Sequence, residues 1–278
     1  MRIDTHHHFW NLNKVEYPWL KPESSVLYRT IEPPELEPQL RAAGIDRTVL
    51  VQSANNTEDT ISMLTQAECY DWIGAVIGWV PLGQPDQARK LLQRYSGHPK
   101  FRGMRHLIHN ERDPDWVIQD NVVRGLKVLE EFNLVFDFVP VYPLHLKHAP
   151  YLLERLPNLT FVIDHLAVPP IRTKEMGAWA SQMQDAARFP NVVVKVSGLG
   201  TAVGSSSWSY LDIKSYIDFA LDTFGADRCM FGSDWPVCTR AGDYAKVWSE
   251  TNKALQDRTR HEIDAVLGGT AQRVYKLT

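Results

Sequence analysis

Residues Arg2–Phe9 have the sequence RIDTHHHF, which combines the pattern of a buried strand with three consecutive histidines at its end. Seven further short runs rich in apolar and β-branched residues follow along the chain. Runs that are apolar on both faces are typical of buried parallel strands. The eight predicted strands are Arg2–Phe9, Thr48–Ala54, Ile73–Pro81, Phe101–Ile108, Leu134–Tyr142, Thr160–Leu166, Asn191–Gly198 and Arg228–Pro236.

The segments between these runs predict helices, because their apolar residues recur at helical spacing. Some of them are also followed by residues that stop a helix, such as Gly44 after the first and Pro190 after the sixth. The predicted helices are Glu35–Ala43, Thr57–Tyr70, Pro85–Tyr95, Asp120–Phe132, His148–Leu156, Met176–Phe189, Trp208–Phe224, Arg258–Leu267 and Thr270–Tyr275.

The alternation of strand and helix predicts right-handed βαβ units and a parallel sheet. Eight such units in 278 residues favour a closed (β/α)8 barrel over an open doubly wound sheet. An open sheet usually has a Gly-rich phosphate loop after its first strand, whereas Phe9–Pro22 is aromatic, contains proline and lacks GxGxxG. No linker divides the sequence, so we expect one α/β TIM-like barrel domain over residues 1–278.

Composition limits the functional classes. Hydrophobic residues make up 44% of the chain and charged residues 23%, close to the globular average. The formal net charge of −3 argues against nucleic acid or an anionic membrane as a partner. Three cysteines without a repeated spacing favour a reducing compartment, and neither a signal-peptide core nor a long apolar run is present. We therefore expect a cytoplasmic protein that acts on a small molecule, and a homo-oligomer is compatible with the sequence.

The end of the first predicted strand carries a pair of candidate site residues. Active sites of such barrels lie at the carboxyl ends of the strands. His6 and His8 are two residues apart, so their side chains share a face and are expected to point into the barrel mouth. His7 is expected to alternate outward as a core histidine. Two imidazoles in the mouth could bind one divalent ion or hold a catalytic water.

Two further strand ends are predicted to complete this centre. Asp234 lies in Phe231–Pro236 (FGSDWP), at a strand end and before a proline, where a carboxylate near imidazoles can take a proton from water. His165 follows Asp164 at the end of the sixth predicted strand. Because side chains alternate along a strand, only one of the two is expected to face inward, and we assign His165 to the site and Asp164 to a structural role.

Other strand ends supply candidate substrate-binding residues. Arg105 ends the fourth predicted strand, and its planar donor fork suits a carbonyl or a carboxylate. Lys195 is explained as well by a buried salt bridge as by Schiff-base chemistry. No GxSxG, P-loop, EF-hand or HExxH motif is present. The predicted substrate-binding residues are Gln52, Trp79, Arg105, His106 and Tyr142.

Three segments together resemble one known family. Asp4–Trp10 (DTHHHFW) is similar to the Asp-x-His-x-His-Phe-Trp opening of the amidohydrolase-related sugar lactonases, which include L-fucono- and L-rhamnono-lactonases. Ile163–Leu166 (IDHL) and Phe231–Pro236 are similar to two further signatures of that group. The resemblance extends from the first strand to the eighth. The fold of that family is a (β/α)8 barrel, which agrees with the strand count.

The resemblance implies that the protein hydrolyses an aldonolactone to the open sugar acid. It implies that Asp234 activates the water and that Arg105 polarises the lactone carbonyl. His6, His8 and His165 would position that water or, with Asp234, hold an ion. Many amidohydrolases bind two metals through a bridging Lys or Glu on the fourth strand, but here that strand ends in Arg105. At most one divalent ion is therefore expected, zinc by preference, and related lactonases imply that it is not strictly required.

Two other functions remain open from the sequence. Related barrels with a similar His-x-His opening are metal-dependent decarboxylases of aromatic acids, and such an enzyme would require its ion outright. A non-catalytic sugar-binding barrel would keep the nine tryptophans without needing Asp234 beside three histidines. The combination of FGSDWP with IDHL favours the lactonase branch.

Overall fold

Eight parallel strands form a closed barrel in the computed structural model of the chain, which describes residues 1–278 and all side chains except those of Ser24 and Ser25. Neighbours in the sheet follow the chain order, and His7 pairs with Trp235 to close the barrel. The predicted (β/α)8 fold is therefore confirmed. The strands are β1 Ile3–His7, β2 Arg47–Val51, β3 Ile73–Gly78, β4 Phe101–His106, β5 Val135–Phe138, β6 Thr160–Ile163, β7 Val192–Val196 and β8 Cys229–Phe231.

The last strand is much shorter than the predicted Arg228–Pro236, because the backbone after Phe231 leaves the regular ladder. It nevertheless stays bonded to both neighbouring strands. The Gly232 N–H donates to the Val196 carbonyl (3.1 Å), and the Asp234 N–H donates to the His6 carbonyl (2.7 Å). The segment that carries Asp234 is therefore fixed between β7 and β1.

Helices surround the barrel, and none of those that the structure describes combines the length and apolar character needed to cross a membrane. Two were not predicted from the sequence, Leu199–Val203 and Tyr244–Leu255. The second has buried residues at helical spacing, among them Tyr244, Val247 and Thr251, and Asp243 caps it by accepting from the Lys246 N–H (2.7 Å), so the sequence did carry signals for it. The α-helices are α1 Pro33–Ala43, α2 Thr57–Cys69, α3 Pro85–Tyr95, α4 Asp120–Glu131, α5 Ala149–Arg155, α6 Gly177–Ala187, α7 Leu199–Val203, α8 Tyr210–Phe224, α9 Tyr244–Leu255, α10 Arg260–Asp264 and α11 Thr270–Val274.

Apolar side chains form two layers, one inside the barrel and a larger one between the strands and the helices. Alternating residues of each strand contribute to the two layers, as is usual in barrels. On β3, for example, Val76 packs outward while Ala75 and Ile77 pack inward. The inner layer consists of Ile3, Val49, Val51, Ala75, Ile77, Val135, Val162, Val193, Met230, Ala271, Val274, Tyr275 and Leu277.

Strand β1 departs from strict alternation. Its register with β2 shifts between Asp4 and His7. Ile3 belongs to the inner layer, whereas Asp4 accepts a hydrogen bond (3.1 Å) from the Tyr244 hydroxyl of α9. His6 again lies inside the barrel, within 3.4 Å of the buried charges there. A strict period of two would place Ile3 and His6 on opposite faces, so the irregularity is what brings both inside.

The end of the chain closes the amino-terminal end of the barrel. Tyr275 and Leu277 pack into the inner apolar layer, and the Tyr275 carbonyl accepts from Arg102 Nε (2.9 Å). The Tyr275 hydroxyl donates to Asp137 Oδ1 (3.0 Å). The closing segment therefore reaches the charged residues that lie above the apolar layer.

The contact between β4 and β5 tests how tightly the barrel is packed. A Cβ at Gly103 would overlap the Val135 carbonyl oxygen of β5. We expect Gly103→Ala to force the strands apart and to lower the free energy of unfolding by about 2 kcal/mol or more. Gly177→Ala is the control, because a Cβ there meets nothing within 4 Å. Chemical denaturation measures both variants, and equal midpoints would contradict the close strand contact.

Candidate active site

A cavity of about 570 Å³ lies at the carboxyl ends of the strands. This is the face at which barrels of this type place their chemistry, and the volume suits a small molecule. The lining residues are His8, Trp19, Ser53, Arg105, Leu107, His109, Asn110, Val139, Val141, His165, Val168, Gly198, Thr201, Ala202, Asp234, Val237 and Arg240.

Three histidines and one aspartate converge at this cavity. The Nε2 atoms of His6 and His8 are 3.2 Å apart. Asp234 Oδ1 lies 3.8 Å from the first of these atoms and 3.6 Å from the second. His165 Nε2 lies 4.0 Å from the same carboxylate oxygen. The structure therefore brings together the four residues that were predicted to activate water or hold an ion.

Hydrogen bonding decides which nitrogen of His8 faces this cluster. His8 Nδ1 lies 2.7 Å from the Val51 carbonyl oxygen, which can only accept, so Nδ1 carries the proton and Nε2 presents a lone pair. Burial, together with Arg105, lowers the pKa of His8 to about 3. Burial also lowers the pKa of His6 and of His165. The three imidazoles are therefore neutral at pH 7, the form that binds a metal ion or accepts a proton.

The carboxyl group of Asp234 has the properties of a base. Burial raises its pKa, and His165 and Arg105 partly oppose the rise. A carboxylate with a raised pKa holds a proton more strongly, which favours proton abstraction from water. Its backbone is held by the hydrogen bond to the His6 carbonyl, at a φ of 58°. The side chain is thus fixed in front of the imidazoles.

The same side chains fit one divalent ion. His6, His8 and Asp234 each offer a ligand atom, and these atoms lie within 4.8 Å of one another. Nitrogen ligands at about 2.0–2.1 Å from a tetrahedral zinc ion are about 3.3 Å apart, close to the separation of the two imidazoles here. Neutral imidazoles with one carboxylate suit zinc or a similar ion. Arg105 Nη1, 3.1 Å from His6 Nε2, adds a positive charge that weakens cation binding.

The guanidinium of Arg105 is engaged by its neighbours although it lines the cavity. Nη1 lies 3.1 Å from His6 Nε2 and 3.2 Å from Asp164 Oδ2. Nη2 donates to the Gln52 carbonyl oxygen. Arg105 therefore places a positive charge beside the reacting centre, while its Nη–H groups orient His6 and the strand ends around it.

A cluster of opposite charges lies fully buried beside His6. Lys195 Nζ is paired with Asp137 and lies 3.1 Å from Asp164 Oδ1 and 3.2 Å from His6 Nδ1. Burial raises the pKa of Asp137 to about 6 against the opposing effect of Lys195. Burial acts in the same sense on Asp164, but Lys195, His6 and Arg105 outweigh it and hold the pKa of that carboxyl well below its usual value. Lys195 is thus a structural counter-charge.

Asp164 and His165 both face the site, so the expectation that only one of them does was wrong. Asp164 follows β6 directly and pairs with Lys195 inside the barrel. His165 has φ 54° and ψ 32°, in the left-handed region, which turns its ring back toward the cavity. Its Nδ1 lies 2.8 Å from Ser197 Oγ. The alternation argument failed because it assumed an extended backbone at His165.

Four residues predicted to bind substrate do not line the cavity as described: Gln52, Trp79, His106 and Tyr142. The ring of His106 stacks on Trp116 at 4.1 Å, and its Nδ1 accepts from Trp79 Nε1 (3.0 Å). Gln52 Nε2 donates to a carbonyl oxygen of β4 (3.0 Å). The contacts of Gln52, Trp79 and His106 show that these side chains hold strand ends and loops together. Contact of these three residues and Tyr142 with substrate stays a prediction.

Several lining residues were missed because they lie in loops beyond the strand ends. His109 and Asn110 follow β4, Trp19 follows β1, and Arg240 follows β8. Trp19 Nε1 donates to the Ser53 carbonyl oxygen (2.6 Å), which fixes the indole at the mouth. Burial lowers the pKa of His109 to about 4, so its ring is a neutral hydrogen-bonding group. Position after a strand end was the only sequence signal available for them.

The fold and the site define a (β/α)8 barrel with a His-x-His pair and an aspartate at the carboxyl ends of its strands. Residues 3–277 match the family described as Amidohydrolase. The chain belongs to the amidohydrolase family, in agreement with the three sequence motifs.

Individual relatives are similar over the full length. The chain is 37% identical over 283 residues to a protein of Burkholderia ambifaria named L-fucono-1,5-lactonase, covering 99% of this chain and 96% of that protein. Two crystal structures of an amidohydrolase from Burkholderia multivorans, one with bound HEPES and one with bound zinc, cover 100% of both chains at 32% identity. Their TM-scores are 0.91 and 0.90.

Replacement of Lys195 tests the charge cluster. Lys195→Met leaves Asp137 and Asp164 buried without their shared cation, so we expect the free energy of unfolding to fall by about 3–5 kcal/mol. The double variant Lys195→Met/Asp137→Asn also removes one carboxylate and should recover part of that loss. Denaturation curves of the two variants measure the difference. A Lys195→Met protein as stable as the wild type would show that the cluster does not need this cation.

Proposed function

We propose that this protein hydrolyses a sugar lactone to the open sugar acid, with L-fucono-1,5-lactone as the first substrate to test. The observation that carries the proposal is the position of Asp234, a buried carboxylate with a raised pKa, within 4.0 Å of three neutral histidines. The likeness to a protein named L-fucono-1,5-lactonase supports a sugar lactone as the substrate class.

The proposed reaction starts from a water molecule beside Asp234. Asp234 takes a proton from the water as the water oxygen bonds to the lactone carbonyl carbon. The carbonyl oxygen becomes an oxyanion, which the positive charge of Arg105 stabilises. The ring C–O bond then breaks, and Asp234 returns the proton to the departing ring oxygen. The product is one molecule that carries a carboxyl group and a new hydroxyl group.

The histidines position the attacking water. The lone pair of His8 Nε2 lies 3.6 Å from Asp234 Oδ1, so a water bonded to the carboxylate can also donate to this imidazole. His165 Nε2 lies at 4.0 Å on the cavity side. A water held between two acceptors is already positioned for attack. The entropy cost of bringing it to the carbonyl carbon is then met before the reaction, which lowers the activation barrier.

The cavity lining suits a partly polar substrate. His109, Asn110 and Arg240 offer hydrogen-bond partners for hydroxyl groups. Val139 and Val168 offer apolar contact for a group without a hydroxyl, such as the methyl group of a deoxy sugar. This mixture of polar and apolar walls favours a deoxy-sugar lactone.

One divalent ion, zinc by preference, would be held by His6, His8 and Asp234, with His165 beside them. When bound it would supply Lewis-acid polarisation of a carbonyl or of water. The positive charge of Arg105 beside His6 weakens that site, so we propose that the ion is not strictly required.

A lactone panel tests the proposal. Aldono-1,4- and 1,5-lactones are incubated with the protein, and acid release is followed with a pH indicator, before and after chelation. We expect turnover of a deoxy-sugar lactone that survives chelation. Absence of turnover with every lactone, also after zinc or manganese is added, would sink the lactonase proposal. Decarboxylation of aromatic acids with added manganese would then be assayed, because that activity is the alternative left by the sequence.

The role of Asp234 is tested by Asp234→Asn. Asparagine tolerates a φ of 58° well, so the fold should be retained while the base is lost. We expect kcat to fall by about 100-fold or more. His7→Gln is the control, because His7 packs outward against Trp72 with Nε2 2.8 Å from Thr48 Oγ1. Near-wild-type turnover by Asp234→Asn would defeat the assigned role, and loss of turnover in His7→Gln would implicate the outer layer.

A further inference from the structure

Four consecutive residues after β6 have left-handed backbones, and none of them is glycine. The φ angles are 54° at His165, 48° at Leu166, 60° at Ala167 and 54° at Val168. Each L-residue in this region is disfavoured by contact between its Cβ and the backbone, and a β-branched residue such as Val168 is disfavoured most. A run of four therefore requires support from the surrounding structure.

The support comes from a helix and a loop that pack against the turn. Trp179 of α6 is fully buried, and its Nε1–H donates to the Leu166 carbonyl oxygen (2.8 Å). The Tyr142 N–H donates to the Ala167 carbonyl oxygen (3.0 Å). Both Leu166 and Ala167 have no exposed surface. Two carbonyl groups of the turn are thus bonded from outside, and its apolar side chains are buried.

The turn determines where the His165 ring lies. An extended backbone would alternate Asp164 and His165 to opposite faces, whereas the left-handed turn brings both to the site. The far side of the ring is bounded by β7, where Ser197 Oγ lies 2.8 Å from His165 Nδ1. A Cβ at Gly198 would lie 2.9 Å from that same nitrogen, so only glycine leaves room for the ring there.

We propose that the turn His165–Val168, held by the Trp179 indole, is a strained positioning device that fixes His165 against Asp234. Trp179 and Ala167 are positioning residues: neither lines the cavity as described, and both act through the backbone of His165. The proposal rests on the proposed function for the role of His165 in turnover. The strain itself does not depend on that function.

Ala167→Gly tests the device, because glycine adopts this φ without strain and gives the turn freedom to relax. The matched control is Ala220→Gly, which removes an equally buried methyl group from the right-handed helix α8. We expect Ala220→Gly to lower Tm by about 5 °C and to leave kcat unchanged. In Ala167→Gly the relief of strain offsets the lost methyl group, so Tm should stay within about 2 °C of the wild type.

The two kinetic constants separate positioning from structure. In Ala167→Gly we expect kcat to fall by about 10-fold or more with KM within about twofold, because the ring is misplaced while the cavity is kept. An unchanged kcat would overturn the positioning role. If Ala167→Gly lowers Tm as much as Ala220→Gly does, the turn is not strained at Ala167. Trp179→Phe removes the N–H donor together with part of the buried ring, so it should lower both kcat and Tm.

If the protein hydrolyses no lactone, the proposed function is wrong. The positioning role of the turn can still be tested by a second measurement that does not depend on activity. The ring resonances of His165 are assigned by NMR from their loss in His165→Asn. A single set of narrow His165 ring resonances in the wild type, which broadens or splits in Ala167→Gly, would support the positioning role of the turn. Identical ring resonances in the two proteins would overturn it, whatever the substrate.

Discussion

The buried ion pairs of Lys195 are the interaction on which the rest of the site depends. Asp137 and Asp164 have no exposed surface, and an unpaired carboxylate in such a place costs several kcal/mol. Lys195 and Arg105 supply two positive charges for these two negative ones. Because the imidazoles are neutral, the layer is balanced before Asp234 is counted. Asp234 is therefore not needed to neutralise this layer and is available as a base or a ligand to a cation, with Arg240 as a further positive charge at the cavity.

The charged layer of Lys195, Arg105, Asp137 and Asp164 also connects the two ends of the barrel. At the closed end, the Tyr275 hydroxyl holds Asp137, and the apolar layer around it keeps water away from the ion pairs. At the open end, the ammonium group of Lys195 lies 3.2 Å from His6 Nδ1, and the guanidinium of Arg105 lies 3.1 Å from Nε2 of the same ring. The His6 imidazole thus lies between two cations that the fold keeps in place, and because a neutral imidazole has one acceptor nitrogen, only one of them donates a hydrogen bond to it.

The sequence predicts the barrel and the converging side chains because both follow from regular geometry. Apolar runs at strand spacing identify the eight strands, and strand ends identify His6, His8 and Asp234. The prediction fails where the backbone departs from that geometry, as in the irregular register of β1 and the left-handed turn at His165. It also fails for groups such as His109, whose position depends on loop packing that periodicity does not encode. Helix α9 is a different case, because its buried residues do recur at helical spacing after the Asp243 cap and the helix was missed although that pattern was present.

These departures are linked to what the site requires. An extended strand offers one inward side chain in every two residues, so two consecutive inward groups need a break in its backbone. Asp164 and His165 are such a pair, one completing the charge balance and the other facing the cavity. A left-handed residue costs about 1–2 kcal/mol, and the strained segments lie at the open face, where loops can vary. The ion pairs and the inner apolar layer lie beneath these segments, toward the closed face. The interactions that offset the strain are therefore in a different layer of the barrel from the reacting groups.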